Sequence, residues 1–274
     1  MRYVSVFLII FLLASCVSGK ERVFTASTPA NPVVKTFLGI PLADSVDFIR
    51  WKIVLQDKHY SLQCNYGIGK PNTNGFINGG MKIELSGGLE KVKDHYVLHN
   101  GSKTLTIAEL NTDLLHLLDE NKKLLVGNGG WSYTINSIMP SGTGQINMMP
   151  PATVLKDSMA FEGRTPCEVP GIISPGTECY KIKWYIILYG NAVMNEPTTY
   201  KVYGTNWRKQ GNLTGNWKVI TGGDGHIMYQ LNDDAGKPFI TLLKTDDNIL
   251  VFTGEHGKLL VGDEDFSYTL NRRW

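Results

Sequence analysis

Leu124-Leu125-Val126-Gly127-Asn128-Gly129-Gly130-Trp131-Ser132-Tyr133-Thr134-Ile135-Asn136 returns, 135 residues on, as Leu259-Leu260-Val261-Gly262-Asp263-Glu264-Asp265-Phe266-Ser267-Tyr268-Thr269-Leu270-Asn271. Eight positions are identical, and Trp131/Phe266 and Ile135/Leu270 are like-for-like changes. In a chain of 274 residues that offset means two tandem copies of one domain. Each copy has about 110–120 residues, the ordinary size of a unit with one core. Lying near the end of each copy, the phrase reads as a closing hairpin.

Outward from the phrase, both copies read as strands. Ile49, Trp51, Ile53 and Leu55 alternate with Arg50, Lys52 and Gln56. Tyr60, Leu62, Cys64 and Tyr66 do the same, as do Met81, Ile83 and Leu85. A period of two places one face in a core and the other in water. Shorter strands are expected at 95–99, 104–108, 114–118, 124–126 and 131–135, with Val33–Ile40 as the first. Ile182, Trp184, Ile186 and Leu188 repeat the Trp51 pattern in the second copy. Eight or nine short antiparallel strands per copy, and no convincing helical period, point to an all-β chain of two tandem up-and-down β-barrels. An open sandwich is the other arrangement. Met139 to about Asp157 holds no periodicity and reads as a short linker, which lets the two barrels touch.

Composition narrows the function. The chain carries 27 basic and 25 acidic residues, a net charge of +2 with no basic run, which argues against nucleic acid as a partner. Arg2 followed by the apolar run Val4–Leu13 is too short to span a membrane and reads as a secretory signal. The run ends in Leu13-Ala14-Ser15-Cys16, which resembles a bacterial lipobox; an ordinary signal cut after Gly19 is the other reading. Acylation of Cys16 would anchor the chain in a membrane. Val17 as second mature residue points, by analogy with sorting rules, to the outer membrane. Residues from Lys20 to about Val33 read as a tether. The expected division is therefore 1–19 for signal and start of tether, 20–138 for the first barrel with its tether, 139–157 for the linker and 158–274 for the second barrel.

Phe37-Leu38-Gly39-Ile40-Pro41-Leu42-Ala43-Asp44-Ser45 resembles the opening segment of the NlpE-like lipoproteins, whose pattern is an aromatic, a Gly and then Pro-Cys-Ala-Asp-Cys. In the second copy Phe161-Glu162-Gly163-Arg164-Thr165-Pro166-Cys167 keeps the first Cys, and Gly171-Ile172 follows as in that family. The resemblance implies small lipocalin-like barrels, a place in the cell envelope, and a link to copper tolerance and surface stress. Leu42 and Ser45 stand where the family has its two cysteines, so a thiolate pair is missing from the first copy. The second copy has Cys167 and, across an eleven-residue gap, Cys179 rather than a close pair. One copy with both cysteines and one with neither fits a disulfide, which would contribute about 3 kcal/mol by shortening the unfolded loop. A two-thiolate metal site is the alternative, but metals need more ligands than two.

Other chemistry is sparse. Cys64 lies on the apolar face of its strand and reads as a buried small hydrophobe. Met148-Met149 could offer soft copper ligands but has no His or Cys nearby. His59, His95, His99, His116, His226 and His256 are scattered. Ser132 and Ser267 alternate with aromatics, so they point away from the core, and no His/Asp pair is available to activate them. No nucleophile elbow, zinc-protease helix or phosphate loop occurs. Gly67–Gly80 reads as a lid, a mouth loop or a disordered loop. The expectation is a non-enzymatic, lipid-anchored envelope protein of two NlpE-like barrels, engaging envelope proteins, with no resident cofactor and copper entering through resemblance alone. A carrier with a small apolar ligand inside a barrel is the second reading, and solidly filled barrels would favour the first.

Overall fold

The structure is a computed structural model that describes residues 21–142, 145–147, 150, 152–173, 176–204 and 213–274. Cys16, the signal segment and Met148-Met149 lie outside the described residues.

The first copy consists of β1 (Arg22–Thr28), β2 (Phe48–Gln56), β3 (His59–Gly67), β4 (Met81–Val92), β5 (His95–Asn100), β6 (Lys103–Glu109), β7 (Leu114–Leu117) and β8 (Thr134–Ser137). The second consists of β9 (Ser158–Thr165), β10 (Ile182–Asn191), β11 (Glu196–Tyr203), β12 (Leu213–Thr221), β13 (Ile227–Asn232), β14 (Pro238–Lys244), β15 (Ile249–Thr253) and β16 (Thr269–Arg273). Each set is an antiparallel meander that closes on itself, β1 pairing with β8 and β9 with β16. Two up-and-down barrels are thus what the repeats build, and closure leaves no sheet edge to pair with another chain.

Both interiors are packed. Ile49, Trp51, Ile53 and Leu55 on β2, and Ile182, Trp184, Ile186 and Leu188 on β10, are all buried as the alternation requires. Each tryptophan faces a small residue on the neighbouring strand, Trp51 opposite Ala26 and Trp184 opposite Gly163. A Cβ on Gly163 would lie 2.6 Å from the Thr269 carbonyl oxygen, so that approach needs glycine. Each indole donates to a threonine hydroxyl, Trp51 Nε1 to Thr28 at 2.8 Å and Trp184 Nε1 to Thr165 at 2.9 Å. Met81 departs from its expected inward position and is exposed, while Ile83 and Leu85 pack against the core in part.

Three expectations need correction. Within the expected tether, Lys20 to about Val33, Arg22–Thr28 is a full barrel strand. Its inward positions are Phe24, Ala26 and Thr28, too small and polar a set to show an apolar alternation, and pairing to β2 and β8 supplies the rest. Val33–Ile40 is not a strand. Helix α1 (Pro32–Leu38) is capped by Asn31, whose side chain accepts from Val33 N at 2.9 Å, and ends at Gly39 with φ 76°. Val34, Phe37 and Leu38 form its buried stripe, which closes one end of the first barrel. Finally, 124–126 and 131–133 are not strands: Leu124 makes an isolated bridge to Leu118, Leu125 and Tyr133 pack into the first barrel's core, and the outward-facing residues of the phrase meet the other barrel.

That crossing joins the copies. Ser132 Oγ lies 2.6 Å from Ser267 Oγ, and Thr134 Oγ1 lies 2.9 Å from Thr269 Oγ1. Gly127 N donates to Asn271 Oδ1 at 2.7 Å, and Gly262 N to Asn136 Oδ1 at 3.0 Å. Each of these four contacts is between one copy's phrase and its counterpart, the signature of a two-fold, self-complementary interface built within one chain. Two like-with-like pairs, two residues apart, set the pseudo-two-fold axis along β8 and β16, so corresponding barrel ends lie on the same side. Leu114, Leu118 and Leu124 pack with Ile249, Val251 and Leu259 in a shared apolar seam. Both phrase glycines are required by close approach: a Cβ would come within 2.2 Å of Trp131 O at Gly127 and 2.1 Å of Phe266 O at Gly262. Two of the described linker residues are tied to the first barrel, Asn147 N donating to Leu110 O at 2.8 Å and Gly142 N to Asp113 Oδ2 at 2.8 Å.

Candidate functional site

The copies differ most at the barrel end where β1 and β9 finish, here called the mouth. Thr28-Pro29-Ala30-Asn31 and Thr165-Pro166-Cys167-Glu168 leave those strands in the same way. Each threonine hydroxyl donates to the following proline carbonyl, at 3.2 and 2.9 Å. Ala30 is therefore the counterpart of Cys167. Phe37–Ser45, the segment read as the first copy's opening, begins in the last turn of α1 and runs on through the plug, and is not the structural equivalent of Phe161–Cys167.

In the first barrel the plug is α1, and buried Lys35 secures the loop after it by donating to the carbonyls of Leu42 and Asp44. In the second, no helix forms among the described plug residues, and the segment is held by a disulfide between Cys167 and Cys179, with Cα atoms 6.0 Å apart. Val169, Ile172 and Ile173 drop into the core beneath it. Tyr268 donates to Glu168 Oε2 at 3.2 Å; its own burial, followed by the adjacent carboxylate, raises the phenol's pKa. A staple thus replaces a capped helix. Reduction, or Cys167→Ser, is expected to lower the unfolding free energy by about 3 kcal/mol, read from urea denaturation with and without reductant; an unchanged midpoint would mean the staple constrains nothing.

Each mouth carries an open concavity. One of about 440 Å³ is bordered by Val46, Tyr66, Ile68, Ile77 and Met81. Another of about 460 Å³ is bordered by Val169, Pro170, Phe239 and Glu255. Gly67–Gly80 is a mouth loop: Phe76 stacks on Phe48 at 4.2 Å, and Phe48 on Trp131 at 4.6 Å. Leu42, Ile68, Ile77 and Met81 are exposed here.

The other singled-out residues do not assemble into a reactive or metal-binding set. Cys64 is buried inside the first barrel and burial raises its thiol pKa, which keeps it protonated. Ser132 and Ser267 point out of their barrels, as alternation implies, but each hydroxyl is spent on the other. His95 pairs with Asp94 at 2.7 Å and His99 faces Glu90 at 3.7 Å, so they share no ligand. Among the described residues no three His, Cys, Asp or Glu side chains gather. With Cys167 and Cys179 joined, the described residues do not fit a copper site. Also among them, no helix is long and apolar enough to cross a membrane.

Two features escaped the sequence reading. Glu109 is buried between Arg22 Nη1 at 2.8 Å and Lys91 Nζ at 2.6 Å, and it accepts from Tyr96 as well. Burial alone would raise its pKa, but the bonds from Lys91 and Arg22 bring it below the usual carboxylate value. His116 is fully buried in the inter-barrel seam, Nε2 at 2.9 Å from Leu125 O and Nδ1 at 3.0 Å from Thr134 Oγ1. Since a carbonyl only accepts, Nε2 carries the proton and the ring is neutral; burial pulls its pKa down to about 4. Its place within Leu114-Leu115-His116-Leu117-Leu118 was the available signal.

No protein-family model, curated protein or solved structure matches this chain.

Proposed function

We propose that the chain is a non-enzymatic, lipid-anchored protein of the bacterial cell envelope, NlpE-like in plan, that acts in envelope homeostasis or stress sensing by touching other envelope components. The carrying observation is the packing of both barrels: Trp51, Phe24, Trp184, Phe161 and Phe252 fill the interiors, which leaves the outer surface and the mouths for recognition. The disulfide supports the compartment, because such bonds persist in oxidising surroundings. The exposed apolar residues at the first mouth, Leu42, Ile68, Ile77 and Met81, suit contact with a protein partner. The link to copper tolerance is carried by the family resemblance alone.

Mass spectrometry of protein isolated from its own envelope tests this reading. The expected species begins at an acylated Cys16, carries one disulfide and brings no stoichiometric ligand. A chain cut after Gly19 without lipid would sink the anchor, and a co-purifying apolar ligand would favour the carrier.

A further inference from the structure

The barrel end opposite the mouths is where β1 begins, β8 and β16 finish, the linker runs and the β10–β11 turn projects. The turns at this end carry the exposed charges Asp57, Lys58, Lys93, Asp224 and Asp247, and beside them stands a set of exposed apolar side chains. Val193 is 97% exposed, Val154 77%, Met194 63%, and Met139 and Trp274 83% each. The first three are held in place. Asn195 accepts from Leu155 N at 2.7 Å and donates to Thr153 O at 3.1 Å, clamping Val154 against the turn that carries Val193 and Met194. Asn191 Oδ1 shapes that turn by accepting from Val193 N at 3.1 Å and Met194 N at 3.0 Å. Met139 and Trp274 are counterparts at the 135-residue offset, each just beyond a closing strand. Lys156 Nζ stands 5.9 Å from the Trp274 ring. Aliphatic side chains edged by an indole and a lysine are the composition that settles at the boundary between lipid headgroups and acyl chains.

The upstream chain selects lipid over other occupants. Five residues separate Cys16 from Arg22, where β1 starts. Their covalent reach is at most about 20 Å. The nine residues of β2 alone span about 30 Å towards the mouth. An acyl group on Cys16 therefore brings this end, and not the mouths, to the bilayer.

We infer that this end of the paired barrels rests on the lipid bilayer, with Val154, Val193, Met194, Met139 and Trp274 at the headgroup–acyl boundary and both mouths turned away from the membrane. The orientation rests on the Cys16 anchor proposed above; the insertion has its own readout.

The test uses full-length protein isolated from its own membrane and placed in vesicles of phosphatidylethanolamine and phosphatidylglycerol, with and without brominated acyl chains. An environment-sensitive dye is attached at Val193→Cys and, as a control in the β5–β6 turn at the mouth, at Ser102→Cys; Cys64 is buried and stays unlabelled. The expected result is a blue shift and strong bromine quenching at 193 and neither at 102. Native tryptophan quenching that drops in Trp274→Phe gives the same answer without an added cysteine. Acylated protein whose dye at 193 is as water-exposed as at 102 overturns the inference, including the case in which a protein covers this face. Quenching at 193 in protein whose mass shows no acyl group upholds the insertion and removes the anchor. The absence of both quenching and acylation removes both.

Discussion

Trp184→Ala is expected to lower the unfolding free energy by roughly 3–5 kcal/mol, the cost of removing a large ring from a core that cannot collapse around the gap. The indole is buried, lies 5.0 Å from the Phe252 ring centroid, donates to Thr165 and faces Gly163. Burial and these three contacts hold the ring in place, so its removal leaves a gap in the core. Trp51→Ala in the first barrel is expected to behave alike, with Ala26 as its small partner. Urea denaturation reads the effect. A loss below about 1 kcal/mol, where a core truncation of this size should cost several, would mean that the ring lines a hollow. The carrier reading would then regain ground.

Acidification is expected to remove roughly 3 kcal/mol of stability between pH 6.5 and 4, through His116. The folded-state pKa of about 4 lies below the ordinary 6.5, so in this window the unfolded chain binds the extra proton. The contribution is complete above 6.5 and is lost as pH falls towards 4. His116 sits where the second copy has Val251, in the seam that joins the barrels, and its bonded Thr134 touches Thr269. The stress of protonation therefore falls on the interface. His116→Val, which copies the twin barrel, is expected to flatten the pH dependence across this window. A slope that persists unchanged would place the acid sensitivity elsewhere. Glu109 acts at lower pH with the same sign: its depressed pKa stabilises the fold above the carboxylate range, and that support fades as the carboxylate is protonated.

The strands were legible where a large apolar side chain recurred at every second position, as around Trp51 and Trp184. β1 hid because its core face offers only Phe24, Ala26 and Thr28, and a strand so modest is defined by its two neighbours. Helix α1 hid for another reason. Its caps, Asn31 with Pro32 and then Gly39, are ordinary stop signals, but Val33-Val34 lent a seven-residue segment a strand-like look. The disulfide was readable by comparing the copies, although Cys167 answers to Ala30 and not to Leu42. What no periodicity could show was the partner of the outward face of the phrase. Ser132, Thr134 and Asn136 look like solvent-facing residues of a single barrel; only the pairing of two identical surfaces makes them an interface. A repeated phrase with small hydroxyl residues on its outer face is thus a sign of two-fold packing as well as of duplication.

The pairing of the barrels through that phrase is tested most directly by scanning calorimetry of the intact chain at neutral pH. One transition is expected, with calorimetric and van't Hoff enthalpies in agreement, because the shared seam lets neither barrel melt without exposing the other. Two separable transitions, each with the enthalpy of a single barrel, would contradict it and leave the repeated phrase as two independent closing segments.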